Sequence, residues 1–348
     1  MPERPLQSGA LRWLVGLAAF VVIVAGMRAA SSIIVPFLLA LFIAIIASPV
    51  VEWLQRKKVP MAVTLLLLVA TIAGLGIGLV GLVGSSLEGF SEQLPAYQEA
   101  LEAKTDAFTA WLEGKGVKTP DRLSGESLNP NAVMGFIGSL LGGLSGLLSN
   151  SFLILATVVF LLLEATALEQ KLGALPGGNG TSRFRRIIGS VRQYMALKTF
   201  VSFVTGVLVA IWLWIVGVDY AMLWGLVAFL LNYIPNIGSI IAAVPAVLVA
   251  LIQKDGGGLG PAIWTGAGFL VINTVIGNLV EPRLMGRGLD LSTLVVFLSL
   301  VFWGWVLGPV GMLLSVPLTM ATKIVLESGD DTRWLAVLLG GSPAANKT

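Results

Sequence analysis

Between residues 11 and 326 the chain is built largely of apolar runs, most of them about 17 to 25 residues long, separated by charged segments. A run of that length matches the hydrocarbon thickness of a bilayer when it is helical. In lipid every backbone polar group must find its partner inside the structure, so helices or a closed barrel are the only ways across. The runs do not alternate polar with apolar residues, which excludes a β-barrel. Composition agrees: 56% of the 348 residues are hydrophobic and 12% are charged, whereas a soluble domain carries roughly 25% charged residues. With a mean hydropathy of +0.90, the sequence predicts an all-α polytopic membrane protein.

The chain has no cysteine and no histidine. That removes thiol chemistry, imidazole ligation of zinc or haem, and any Ser-His or Cys-His nucleophile pair. The expectation is therefore no enzyme, no cofactor and no metal site. The isoelectric point near 9.2 rests on a few loop clusters in a chain of net charge +3, a pattern that reports membrane orientation and not nucleic-acid binding.

Six full spans are expected, at 11–27, 32–51, 61–83, 151–163, 199–217 and 262–280. The first follows Arg4 and Arg12 and competes with a secretory signal, but its length and the apolar runs that follow at once favour an uncleaved span. In the third, Gly74, Gly76, Gly78 and Gly81 have the small-residue spacing that lets helices approach closely. Lysine and arginine mark the cytoplasmic side. The basic turn at Arg56, Lys57 and Lys58 and the loop bearing Arg183, Arg185, Arg186 and Arg192 are inside, and span parity places both termini in the cytoplasm. The acidic segment 85–130 then lies outside. Within it Leu87, Phe90, Leu94, Tyr97, Leu101, Phe108 and Trp111 form a heptad-like stripe, interrupted at Lys104. That stripe serves either to assemble a homo-oligomer or to lie on its own subunit or the membrane. The domain plan is 1–84 for the first three spans, 85–130 for the extracytoplasmic amphipathic helix, 131–198 for the fourth span and basic loop, 199–327 for a transport core, and 328–348 for a cytoplasmic tail.

Two further apolar stretches, 221–252 and 291–326, are each broken near the middle by proline and glycine. Each is too short for two crossings of about 20 residues plus a turn, and too long for one straight span. A re-entrant hairpin of two half-length helices fits both. The breaks match, Pro235-x-x-Gly238 with Pro245 against Pro309-x-Gly311 with Pro317. Each follows a full span, which makes an inverted-topology repeat, the alternative being the ordinary frequency of Gly and Pro in membrane helices. Half-helix ends at that depth expose backbone groups that bind anions, polyols or cations, so Asn232, Pro235, Asn236, Gly238, Gly308, Pro309 and Gly311 are the candidate solute-binding residues. Capping by the two asparagines is compatible with that role. Glu281, with Asn278 on the same helix face, and Glu164 are candidates for ion coupling, Glu281 pairing with Arg283 or Arg287, or else sitting at a helix end in water. Asp219 reads as an exposed turn residue. Trp212, Trp214, Trp224, Trp303 and Trp305 read as an interfacial aromatic belt.

Three motifs in order, Leu231-Asn232-Tyr233-Ile234-Pro235-Asn236-Ile237-Gly238-Ser239, Gly277-Asn278-Leu279-Val280-Glu281-Pro282-Arg283-Leu284-Met285-Gly286, and Gly308-Pro309-Val310-Gly311 with Pro317, resemble the autoinducer-2 exporter family. The resemblance follows the span order of the whole chain, with its specific motifs in the last third. It implies a multi-pass permease of the bacterial or archaeal inner membrane, homo-oligomeric, that exports autoinducer-2 in some members and exchanges sodium for protons in others. For antiport it implies Glu164 and Glu281 with a nearby arginine; for signal efflux, the hairpin loops. Three functions stay open on the sequence: a secondary permease for a small polar solute, with no GxxxxGK[ST] loop for ATP; a cation/proton antiporter; and a non-transporting membrane scaffold. The partners expected are the solute or cation, the lipid bilayer and further copies of the chain, with no nucleic acid.

Overall fold

The computed structural model describes residues 6–115, 150–173, 179–235, 237–285, 291–327 and 332–341, with isolated positions 135, 138, 139, 142 and 329. In chain order the helices are α1 (Leu6–Ala29), α2 (Ser31–Arg56), α3 (Met61–Gly114), α4 (Ser151–Gly173), α5 (Asn179–Val216), α6 (Ala221–Leu231), α7 (Ile237–Ile252) and α8 (Leu259–Asn273). A π-helical stretch, Thr274–Val280, leads into α9 (Glu281–Met285), and then come α10 (Thr293–Leu313), α11 (Ser315–Glu327) and α12 (Arg333–Leu339). No strand occurs among the described residues. The protein is an all-α, multi-pass membrane protein.

Among the described residues, five helices are long and apolar enough to cross a membrane: Ser31–Arg56, Met61–Phe90, Arg185–Val216, Leu259–Leu284 and Thr293–Leu313. Four of these contain expected spans. The runs at 11–27 and 151–163 lie in α1 and α4, whose apolar stretches among the described residues are Leu14–Ala29 and Ser151–Glu164. The fifth long helix lies inside the second broken stretch, because helical hydrogen bonding continues through its kink.

The chain divides into two compact units, one of residues 1–46, 156–191 and 290–348, the other of 47–155 and 192–289. In the first, α1 packs on α10: Val24 is buried with Val306 and Leu307, Phe20 stacks on Phe302 at 6.3 Å, and the Arg28 guanidinium lies 4.5 Å over the Trp305 ring. The first apolar run is thus part of the packed structure. Gly308, at φ 70° and ψ −155°, takes a backbone conformation that side chains disfavour, and there the chain turns. Trp303 Nε1 donates to Thr319 Oγ1 at 3.0 Å, although a straight helix would hold residues sixteen apart at about 24 Å. The stretches on either side of Gly308, 293–307 and 309–327, are thereby arms of one hairpin. At its base the Ser292 amide donates to the Leu339 carbonyl at 3.2 Å, and Arg186 pairs with Glu327 at 3.0 Å.

The second unit holds the other hairpin, α6 and α7. These helices have 11 and 16 residues, roughly 17 and 24 Å against a hydrocarbon core of about 30 Å. Neither arm is long enough to cross. Their outer ends are tied, since the Asp219 amide donates to Gln253 Oε1 at 3.0 Å and Gln253 Nε2 donates to the Gly217 carbonyl at 2.7 Å. The chain therefore returns to the level it left, as the re-entrant reading requires. At the tip a Cβ on Gly238 would collide with the Leu231 carbonyl, so only glycine closes this return. The α5 and α6 backbones cross at Gly206 and Gly225, where a Cβ on Gly206 would stand 2.7 Å from the Gly225 carbonyl.

The expected third span and the amphipathic helix are one element, since α3 runs unbroken for 54 residues through Pro95, roughly 80 Å. The first part of its stripe is used within the chain: Phe90, Tyr97 and Leu101 are buried with Val218, Leu223 and Trp224. Phe108 and Trp111 remain exposed. Of the remaining stripe residues, Leu94 packs partly against that core, and the side chain of Leu87 lies outside the described set. Among the described residues, a Cβ on Gly74, Gly76, Gly78 or Gly81 of α3 would meet nothing within 4 Å.

Two further expectations are corrected. Asp219 is half-buried, accepting from Tyr97 Oη at 2.8 Å. Three of the five tryptophans are internal anchors: Trp224 is fully buried and donates to the Asp219 carbonyl, Trp303 holds Thr319, and Trp212 donates to the Trp264 carbonyl at 2.9 Å. Trp214 and Trp305 are exposed as a belt requires.

Candidate functional site

Polar residues are expensive at membrane depth, and the second unit gathers several of them where the α6–α7 tip meets α5 and the π-helix. Asn232 caps the end of α6, its amide bonding the Ala228 carbonyl, and its Nδ2 donates to Ser202 Oγ on α5 at 3.0 Å. Next in sequence, Tyr233 Oη donates to Thr199 Oγ1 at 2.7 Å. That hydroxyl in turn donates to the Met195 carbonyl at 2.7 Å. Pro235 has no N–H to satisfy and leaves its carbonyl to the Ile237 amide. The side chains of one half-turn of the tip are thus fixed onto α5.

Across the tip stands the π-helix. Pro282 cannot close the helical turn before it, and the seven residues 274–280 take the wider form, with the Glu281 amide reaching back five residues to the Ile276 carbonyl. Such wide turns concentrate at functional sites. This one presents Thr274, Gly277, Asn278 and Glu281 towards the tip, lining with Lys198, Asn232, Pro235, Ser239 and Asn273 a cavity of about 320 Å³.

The cavity has one charge of each sign. Lys198 Nζ donates to Glu281 Oε1 at 2.5 Å, with the lysine side chain 4% exposed and the carboxylate 17% exposed. Glu281 therefore pairs with Lys198 and not with Arg283, while Arg287 lies outside the described residues. A buried charge is tolerable when its partner is in place, and removing one partner leaves the other stranded. Around the pair, amides and hydroxyls offer donors and acceptors together. The arrangement suits a small hydroxylated solute, or one whose own charges can replace either partner.

Of the sequence-predicted residues, Asn232, Pro235, Asn278 and Glu281 meet in this cavity. Gly238 does not line it and serves the turn behind it. Asn236 lies outside the described residues. Gly308, Pro309 and Gly311 belong to the first unit, where they form the kink of the α10–α11 hairpin, Gly311 sitting against the Trp303 carbonyl. Glu164, exposed on α4, also belongs to the first unit. Sequence reasoning missed Lys198, which reads as the end of a basic loop, and Ser202 and Ser239. The signal for each is a polar residue inside or at the edge of an apolar run; Lys198 and Ser202 share α5 with Thr199 and Thr205, and Ser239 lies in the first turn of α7.

Comparison with known proteins agrees with this architecture. Residues 17–330 match the profile of the AI-2E family transporter. The AI-2 transport protein TqsA of Escherichia coli is 43% identical over 332 residues, covering 94% of this chain and 95% of TqsA. A Haemophilus influenzae protein is 43% identical over 340 residues, covering 94% and 96% of the two chains, and E. coli YhhT is 42% identical over 332 residues, covering 94% and 93%. With the membrane helices, the re-entrant hairpins and a polar cavity at a broken-helix tip, this protein belongs to the AI-2E transporter family and is a membrane transporter.

Proposed function

We infer that the protein is a secondary permease of the inner membrane that exports a small polar solute through the Lys198, Asn232, Asn278 and Glu281 cavity. The carrying observation is the cavity itself: a buried ion pair and five neutral polar side chains, closed by a broken-helix tip and a π-helix. Transporter substrate sites are built in this way, from discontinuous helices at membrane depth. The name and similarity of TqsA make AI-2 the first solute to test. Charge bias and span parity in the sequence support cytoplasmic termini and opposite senses for the two hairpins. The exposed Phe108 and Trp111 on the far part of α3 support assembly into a homo-oligomer.

Efflux from proteoliposomes loaded with AI-2 tests the reading. The expected result is flux that falls at least about tenfold in Lys198→Met and Asn278→Ala, with both variants folded. Unchanged flux in both variants places the pathway elsewhere.

A further inference from the structure

The polar cavity does not end at the hairpin tip. Ser239, Ile240, Leu270 and Asn273 line it and also line a second, almost wholly apolar hollow of about 440 Å³ between α7 and α8. That hollow continues past Val244, Val247, Leu248, Gly266 and Phe269. From Ser239 to Leu248 it follows nine residues of α7, roughly 13 Å, close to the hydrocarbon depth of one leaflet at about 15 Å. Its rim is formed by Ile240 and Val244 of the hairpin arm α7 and Leu270 of the apolar helix α8, all exposed. The hollow therefore opens sideways, to lipid.

Gly266 leaves the floor of this groove open. A Cβ there would stand 3.8 Å from Val247 Cγ2, an ordinary contact. A longer side chain at this position would extend into the groove that Gly266 lines. At the cavity end, Lys198 and Glu281 present one ammonium and one carboxylate within a ring of neutral amides and hydroxyls. A head group bearing both charges satisfies both, whereas a lone anion or cation strands one of them.

We propose that cavity and groove form one amphiphilic site, filled from the bilayer by an amphiphile with a small zwitterionic head and an alkyl chain. The head lies at Lys198 and Glu281, and the chain lies between α7 and α8. As a statement about cargo this rests on the transport reading above; as a statement about binding it does not.

The probe is lysophosphatidylethanolamine with a diazirine near the end of its chain, photolysed with the full-length protein in phosphatidylcholine nanodiscs. Labelling is expected to concentrate on Val244, Val247, Leu248 and Phe269, and to be displaced by unmodified lysophosphatidylethanolamine but not by glycerophosphoethanolamine. Gly266→Leu should lower it about fivefold or more, the scale of overfilling a packed apolar site, and Lys198→Met/Glu281→Gln should lower it likewise. Val247→Trp is the second groove-filling variant should Gly266→Leu fail to fold. Labelling spread evenly over lipid-facing helices, or indifferent to the groove and charge variants, overturns the proposal. Site-specific labelling without flux of the probe in proteoliposomes supports the binding site and contradicts its role in transport. Flux of a hydrophilic solute through a protein whose groove does not label overturns the proposal and leaves the transport reading standing.

Discussion

Replacing Lys198 with methionine keeps the length and apolar stem of the side chain and removes only its charge. At 2.5 Å and an effective dielectric constant of about 20, the attraction between Lys198 and Glu281 is roughly 7 kcal/mol. Desolvation of two buried ions offsets most of it, so the net coupling expected is about 2 kcal/mol. Breaking one side of such a pair costs about 3–5 kcal/mol because the surviving charge stays buried. Glu281 keeps 17% exposure to the cavity, which places Lys198→Met near the lower end, at about 3 kcal/mol. Glu281→Gln should cost less, and the double variant should recover about 2 kcal/mol relative to the sum of the singles. The assay is unfolding in detergent, read as a double-mutant cycle. A cost below about 1 kcal/mol for Lys198→Met, with singles that add to within about 0.5 kcal/mol, would refute the claim that this pair is buried and coupled.

Gly238→Ala puts a methyl group into the Leu231 carbonyl and should cost at least about 2 kcal/mol, lowering the melting temperature and the yield of folded protein. Gly308→Ala should cost about 1–3 kcal/mol, since φ 70° with ψ −155° is a region essentially reserved for glycine; a neutral result by thermal unfolding contradicts the kink. Tyr97→Phe removes hydrogen bonds to Asp219 and Gln93 and should cost about 1–2 kcal/mol. Burial, and then the Asp219 carboxylate, raise the Tyr97 pKa above its ordinary 10.0. A raised folded-state pKa contributes stability that is present below pH 10 and lost as pH climbs above it. The alkaline fall in stability should therefore be shallower in Tyr97→Phe than in the parent, measured by unfolding between pH 9 and 11.

Features legible in the sequence were those with a local cause. Proline and glycine at 235–238 and 308–311 broke two apolar runs, and run length then forced hairpins. Asn232, Asn278 and Glu281 were visible as polar residues in apolar surroundings. What escaped depended on neighbours far along the chain. Lys198 finds its partner 83 residues away, beyond any helical spacing rule. Gly206 and Gly225 look no different from Gly74, Gly76, Gly78 and Gly81 of α3, yet the first pair brings two backbones together, while a Cβ on the α3 series would meet nothing within 4 Å among the described residues. The continuity of the third span with the amphipathic helix was not legible either: α3 runs through Pro95, with Phe90, Tyr97 and Leu101 buried on either side. Trp224 and Trp303 looked interfacial because hydropathy reports a ring's preference and not whether a partner for its N–H waits inside.

The central claim is that solute passes through the cavity at the α6–α7 tip, and the absence of native cysteine allows a direct test. A single cysteine at Ser239 or Asn278 lines that cavity, and its modification by a water-soluble maleimide can be timed in proteoliposomes with and without AI-2. The account predicts that AI-2 slows labelling at both positions, while a cysteine at exposed Phe152 is indifferent. Labelling at both cavity positions that AI-2 leaves unchanged, in protein that still transports it, would contradict the account.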